Sequence, residues 1–196
     1  MLAADVAGYD RLMAADDEGT LARLKAIRTT MAEPAMSAHR SRTIKVSGDR
    51  LLVEFASAVD ALRSAVELQR GMAEQNSAVP PDRRIQFRIG IHVGDIIFDE
   101  NDIFGDSVNI AVRLQSIADP GGICLSEGAC RETRGKFEIA YDDLGPQLLK
   151  NIAEPVRAWR VRFGAQGVAG PASAPVLPDR PSIAVLPFEN MSGDPE

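Results

Sequence analysis

A strict alternation of apolar and polar residues in the middle of the chain constrains the fold more than any other feature. From Ile85 to Val93 every second residue is apolar, and the residues between are polar or glycine. A period of two places all the apolar side chains on one face of a β-strand. Gly94 to Asp99 continues as a second extended piece. The chain is therefore predicted to build a sheet that is covered on at least one face.

Hairpins and helices alternate along the rest of the chain. Thr43–Val46 and Leu51–Phe55 are apolar runs joined by the short polar segment Ser47-Gly48-Asp49-Arg50, which predicts a β-hairpin. Apolar residues at helical spacing predict helices over 20–38, 57–75 and 106–118. Further strands are predicted over 1–7, 123–125, 137–141 and 156–161. Such an order favours an α+β fold with a mostly antiparallel sheet covered by helices.

The composition is that of an ordinary globular domain and excludes several classes of function. Of 196 residues, 45% are hydrophobic and 26% are charged, with a net charge of −6. The acidic balance argues against nonspecific binding to nucleic acid or to an anionic membrane. We find neither an apolar run near the ~18 residues of a membrane span nor a signal peptide, so a cytoplasmic location is expected. Two cysteines, Cys124 and Cys130, do not suffice for a four-cysteine zinc site and are expected to be buried.

The composition changes after Phe163. Residues 164–181 are rich in glycine, alanine and proline and almost uncharged, which is typical of an extended linker. Residues 182–196 resume a strand-like pattern that is too short to form a core. We predict a catalytic domain over 1–163, a linker over 164–181 and the start of a truncated downstream domain over 182–196.

Three short segments place polar residues among apolar ones. They are Ala4-Asp5-Val6-Ala7-Gly8-Tyr9, Lys45-Val46-Ser47-Gly48-Asp49, and Asp102 to Asn109 followed by Arg113. Each segment alone is weak evidence for a functional site, because aspartates at strand ends are commonly turn residues. Together with the runs 88–94 and 108–114, their order and spacing resemble the catalytic domain of the class III adenylate and guanylate cyclases over residues 1–161. Residues 178–196 resemble the junction that leads, in bacterial relatives, into a periplasmic-transport-like region and helical repeats.

The resemblance implies a fold, a reaction and a metal site. The fold would be ferredoxin-like, with a mostly antiparallel sheet covered by helices. Family members convert a nucleoside triphosphate to its 3′,5′-cyclic monophosphate and pyrophosphate, by in-line attack of the ribose 3′-oxygen on the α-phosphorus. Two divalent ions, Mg²⁺ or Mn²⁺, support this attack. The matching carboxylates here are Asp5 and Asp49, and the carbonyl of Val6 is a minor candidate ligand.

The resemblance also assigns the substrate contacts. Lys45 and Asp102 match the pair that reads the base, and a Lys donor with an Asp acceptor suits adenine rather than guanine, so ATP is the expected substrate. Asn109 would position the ribose, and Arg113 would stabilise the phosphates in the transition state. In the family the two metal aspartates and the other four residues meet across a dimer interface, so a homodimer with two equivalent sites is expected.

Departures from the family pattern keep a second interpretation open. Three are substitutions: Arg50 stands where relatives often have glycine, Asp95 where some have a phosphate-binding arginine, and Asp10 where a serine or threonine is common. The fourth is the position of Met1, which lies so close to Asp5 that the first strand is expected to be clipped. The alternative is a catalytically weak or inactive cyclase-homology module that dimerises, binds nucleotide and regulates an attached domain. A guanylate cyclase is a third possibility. A P-loop NTPase is excluded because its G-x-x-x-x-G-K-[ST] motif is absent.

Overall fold

A seven-stranded sheet forms the centre of the fold. The computed structural model describes residues 1–99 and 102–162, with backbone alone for 97–99 and 102–104. The strands are β1 (Leu2–Val6), β2 (Ser41–Ser47), β3 (Arg50–Phe55), β4 (Phe87–Ile91), β5 (Ile97–Asp99), β6 (Asp102–Phe104), β7 (Ile123–Ser126), β8 (Ala140–Gln147) and β9 (Val156–Arg162). The α-helices are α1 (Tyr9–Ala15), α2 (Asp17–Ile27), α3 (Glu33–Ser37), α4 (Ala58–Asn76), α5 (Asp106–Ile117) and α6 (Glu127–Thr133).

The strand order is β2-β3-β1-β4-β7-β9-β8. Neighbouring strands are antiparallel except β4 and β7, which are parallel. Strands β5 and β6 form a separate antiparallel pair. The predicted α+β fold with a mostly antiparallel sheet and covering helices is therefore confirmed.

The two faces of the sheet carry different helices. In β1 the side chains of Leu2, Ala4 and Val6 belong to the larger core, which α2, α3, α4 and α6 cover. Ala3 lies on the opposite face, where α5 packs across β1, β4 and β7. At the crossing with β4, a Cβ on Gly90 would overlap the backbone of Ala111 and Gln115. Glycine at this position thus allows α5 to lie directly on the sheet.

Several predicted elements are confirmed, and two differ from the structure in detail. The hairpin, the central strand, α4 and α5 agree with prediction to within a few residues. The helix predicted over 20–38 is confirmed as a continuous helical stretch over 17–37, in which a π-helical turn (Arg28–Ala32) lies between α2 and α3. Pro34 in the first turn of α3 has no N–H to donate, so the regular helical ladder cannot run through this point.

The strand predicted over 137–141 is also displaced. Phe137 and Ile139 pack against the core from irregular backbone, whereas β8 begins at Ala140. Strand β8 lacks an alternating apolar pattern because charged residues stand in it. They form ion pairs with β9, Asp142 with Arg162 and Asp143 with Arg157. The sequence also did not predict α1 and α6.

Cys124 and Cys130 are buried and unpaired, as expected. Within residues 1–99 and 102–162, none of the helices combines the length and apolar character needed to cross a bilayer. The predicted linker and the segment 182–196 lie outside the described residues.

Candidate active site

Asp5 lies near the end of the central strand β1 and is almost fully buried, with 7% of its surface exposed. Its register partner in β4 is Arg88. The guanidinium of Arg88 donates from Nε to Oδ1 at 2.9 Å and from NH2 to Oδ2 at 2.6 Å. Both carboxylate oxygens of the first predicted metal ligand therefore accept hydrogen bonds from one arginine.

Asp49 lies in the two-residue turn between β2 and β3, where Ser47 pairs with Arg50. Gly48 precedes it with a φ of 59°, a left-handed conformation that favours glycine. The backbone N–H of Val6 donates to Asp49 Oδ2 at 3.4 Å. On the other side of the turn, Arg28 NH2 donates to the carbonyl of Gly48 at 3.0 Å. The turn is thus held from two directions, by β1 and by the π-helical segment.

The Val6–Asp49 bond places the two predicted metal-binding carboxylates in neighbouring positions. Burial raises the pKa of Asp49 above its ordinary value, and the negative charge of Asp5 adds to this rise. A cation between the two carboxylates would relieve this repulsion, and carboxylate oxygens suit hard ions such as Mg²⁺ and Mn²⁺. The donor set fits a divalent ion, although the described residues contain no cluster of three or more His, Cys, Asp or Glu arranged for a metal.

Lys45 lies on the same face of the sheet as Asp5. A register shift between Thr43 and Lys45 makes Ile44 a bulge in β2, after which Lys45 pairs with Leu52. Leu52 in turn pairs with Ala3, two residues before Asp5. The side chain of Lys45 is exposed, and two strand spacings, roughly 10 Å, separate its Cα from β1. A bulge at this point re-aims the lysine.

Asp102 begins β6, where it pairs with Asp99 of β5. The structure describes this position as backbone only, so its predicted contact with the base stays a prediction.

Asn109 and Arg113 lie one helical turn apart on α5. Asn109 is exposed, and Arg113 is partly exposed. Arg113 Nε donates to the carbonyl of Lys150 at 3.1 Å, in the loop between β8 and β9. This bond positions the guanidinium while its two terminal nitrogens make no other hydrogen bond within the described residues.

The predicted site residues form two groups in a single chain. Asp5, Val6 and Asp49 are in direct or near contact. Within the described part of the chain, no hydrogen bond or ion pair connects them to Asn109 or Arg113.

Arg88 is the residue that the sequence analysis missed. It appeared only as part of the run 88–94. Its position in the predicted central strand could have revealed it, because a permanently charged side chain in the middle of a sheet requires a partner of opposite charge.

Two of the departures from the family pattern, Arg50 and Asp95, are exposed. Arg50 begins β3 without a positive φ, so the turn is not strained there, and its charge lowers the pKa of Asp49 against the effect of burial. With Arg28 and Asp49 it lines a small pocket beside the turn. Asp95 lies in the loop after β4.

Comparison with known proteins gives the family. The family model described as "Adenylate and Guanylate cyclase catalytic domain" matches residues 1–159. A Rhizobium meliloti protein named "Putative adenylate cyclase 3" is 45% identical over 202 residues, which cover 100% of this chain and 34% of that protein. The chain therefore spans about a third of the length of this curated relative.

Solved structures agree with this match. An adenylate/guanylate cyclase/hydrolase from Silicibacter pomeroyi is 42% identical, with a TM-score of 0.76 over 84% of this chain and 95% of that one. The adenylyl cyclase CyaB from P. aeruginosa, 19% identical, shares the fold with a TM-score of 0.68 over 85% of this chain and 94% of its own. By sequence and by fold, the chain belongs to the family of adenylate and guanylate cyclase catalytic domains.

Proposed function

We propose that this chain is the catalytic domain of an adenylate cyclase, which converts ATP to 3′,5′-cyclic AMP and pyrophosphate in a homodimer. The observation that carries the proposal is the hydrogen bond from Val6 to Asp49, because it holds a second carboxylate next to Asp5. The adenylate cyclase names of relatives point the same way.

In the proposed site, Asp5, Asp49 and the carbonyl of Val6 hold the metal. Two divalent ions bound there, Mg²⁺ or Mn²⁺, would neutralise charge that develops on the attacking and leaving oxygens. The chemical step forms a bond from the ribose 3′-oxygen to the α-phosphorus and breaks the bond from that phosphorus to pyrophosphate. The two carboxylates of this chain supply the negative charge that attracts these cations.

Lys45 and Asp102 are proposed to read the base from the protomer opposite the metal aspartates. Adenine offers N1 as an acceptor and its 6-amino group as a donor, so a lysine and a carboxylate match both. Guanine has the opposite polarity at this edge and would leave both protein groups unpaired, which is costly in a closed site. This pairing is the basis for ATP rather than GTP as substrate.

Asn109 and Arg113 are proposed to act from the partner protomer. Asn109 would orient the ribose, and the terminal nitrogens of Arg113 would bind phosphate oxygens while Nε stays on the Lys150 carbonyl. A planar guanidinium fixed in this way loses little freedom when it binds phosphate. Within the described residues no hydrogen bond or ion pair joins Asn109 or Arg113 to Asp5, Val6 or Asp49, as a site shared between two protomers requires.

One observation favours a second candidate function. The bidentate Arg88–Asp5 pair occupies a proposed metal ligand, which would suit a weak or inactive cyclase module with a regulatory role.

A single assay separates the two candidates. Purified protein incubated with ATP and Mn²⁺ should form cyclic AMP, with a specific activity that rises with protein concentration as dimers form. Asp49→Asn should abolish the product, and Asp142→Asn, at the far edge of the sheet, serves as the matched control. No cyclic AMP at any protein concentration would favour the regulatory module.

A further inference from the structure

The Asp5–Arg88 pair stands where a metal is proposed to bind. Both residues lie at the middle of the sheet, on neighbouring strands and directly opposite in register. The side chain of Asp5 is 10% exposed and that of Arg88 is 28% exposed. Two parallel N–H···O bonds at 2.9 and 2.6 Å define a bidentate ion pair, the strongest form of arginine–carboxylate contact.

This pair balances charge that would otherwise be uncompensated. Asp5 and Asp49 bring two carboxylates to one place, and Arg88 is bonded to the more buried of them. An isolated buried carboxylate is costly, so a chain without bound metal needs a cation here. Arg88 supplies one from within the chain.

A divalent ion that binds Asp5 must compete with the guanidinium of Arg88 for the carboxylate. Arg88 takes one lone-pair site on each oxygen, and the charge of the guanidinium repels a second cation at the same carboxylate. The ion must either share Asp5 with Arg88 or displace it, and both options reduce metal affinity.

We propose that Arg88 is a positioning residue that acts as the internal counter-ion of Asp5 and competes with the divalent metal, so that it sets the metal concentration at which the site fills. The inference rests on the proposed function only in taking Asp5 as a metal ligand. It adds that the occupancy of the site is regulated by a residue of the same chain.

The test measures binding of Mn²⁺ alone, by electron paramagnetic resonance of the free ion, to the full chain. Arg88→Gln removes the charge and keeps a hydrogen-bonding side chain, and it should bind Mn²⁺ about tenfold more tightly than the unaltered protein. Arg88→Lys keeps the charge without the bidentate fork and should lie between them. Arg162→Gln removes an arginine from a similar pair with Asp142 at the far edge of the sheet, and it should leave Mn²⁺ binding unchanged.

A second measurement does not depend on catalysis. Without metal, Arg88→Gln should melt at a lower temperature than the unaltered chain, because Asp5 loses its counter-ion. Saturating Mn²⁺ should raise the melting temperature of this variant more than that of the unaltered chain. If Arg88→Gln does not fold, the Arg88→Lys variant carries the same comparison with a smaller expected difference.

The outcomes are distinguishable. Tighter Mn²⁺ binding in Arg88→Gln that is lost when Asp5→Asn is added supports the competition. Equal or weaker binding in both Arg88 variants overturns it and makes Arg88 a residue that only orients Asp5. Absence of Mn²⁺ binding in all variants also overturns it. Cyclic AMP formation by the unaltered chain, assayed in parallel, decides the proposed function separately.

Discussion

The backbone N–H of Val6 donates to Asp49 Oδ2 although 43 residues separate the two in sequence. Because Val6 follows Asp5 in β1, the bond brings the carboxylate of a hairpin turn beside the carboxylate of the central strand. The same turn is held on its other side by Arg28. The position of the proposed metal site is therefore set by contacts among three elements, β1, the β2–β3 turn and the π-helical segment.

Complementation between two inactive variants tests whether the two half-sites meet across a dimer. Asp49→Asn should remove metal binding, and Arg113→Ala should remove the phosphate contact, so each variant alone should be inactive. A heterodimer of the two keeps one intact site. An equal mixture should recover about a quarter of the unaltered activity, since half of the dimers are mixed and each has one working site of two. No recovery, with heterodimers demonstrated by native mass spectrometry, would contradict this arrangement.

The choice of base is expected to depend on Lys45 and Asp102 together. Lys45→Glu combined with Asp102→Cys reverses the polarity offered to the base. Each lost matched contact should cost roughly 1–3 kcal/mol for ATP, so the ratio of kcat/KM for ATP to that for GTP should fall at least tenfold. Competing both nucleotides in one reaction measures the ratio directly. A ratio that stays constant would show that other groups read the base.

Local pattern and motif order predicted much of this molecule, and the failures have physical causes. The central strand was predictable because one of its faces lies in a core, and that produces the alternation from Ile85 to Val93. Strand β8 was not predictable, because Asp142 and Asp143 form ion pairs with β9 and interrupt any alternation of apolar and polar residues. The π-helical turn inside the helix predicted over 20–38 was not predicted, because the apolar spacing masked the effect of Pro34, which has no N–H to donate.

The candidate site was likewise predictable only in part. The aspartates were predictable as members of motifs, since their identity is visible in sequence. Neither their juxtaposition nor the ion pair of Asp5 with Arg88 was predictable, because both depend on how distant strands pair. The pairing of β1 with β3 brings the turn that holds Asp49 to Val6, 43 residues away, and the register of β1 with β4 places Arg88 opposite Asp5, 83 residues away.

Stability at mildly acid pH is expected to depend on His92. Burial lowers the pKa of His92 to about 4, and the positive charge of the Met1 ammonium adds to the effect. Between pH 6.5 and about 4 the unfolded chain therefore binds a proton at this histidine that the folded chain does not. The free energy of unfolding should fall through this range as pH decreases, by ~1–2 kcal/mol once partial exposure is allowed for.

The measurement is urea unfolding at several pH values for the unaltered protein and for His92→Gln. The difference between the two curves isolates the histidine from the carboxylates that titrate in the same range. It should be constant above pH 7 and change in favour of His92→Gln below pH 6.5. Parallel curves over the whole range would contradict the assignment.

The close approach of α5 to the sheet is expected to make Gly90 intolerant of any side chain. In Gly90→Ala the new methyl group would overlap the backbone of Ala111 and Gln115, and overlap with backbone is not relieved by a change of rotamer. The free energy of unfolding should fall by at least ~2 kcal/mol, and kcat should fall too because α5 carries Asn109 and Arg113. Gly128→Ala in α6 is the matched control, since its Cβ would make only an ordinary contact with Val93, and it should be neutral or stabilising by up to ~1 kcal/mol.

The last prediction concerns the charge of Arg50 beside the proposed metal site. Arg50 has no positive φ and is exposed, so a substitution there relieves no backbone strain and acts through charge. That charge stabilises the ionised form of Asp49, but it also repels a cation bound there. Arg50→Gly should therefore lower the Mn²⁺ concentration for half-maximal activity, by about two- to threefold, the size expected of an exposed charge. Arg50→Gln should give the same shift, because it removes the charge without adding backbone freedom. A higher KM for ATP in both variants would instead show that Arg50 binds the substrate phosphates.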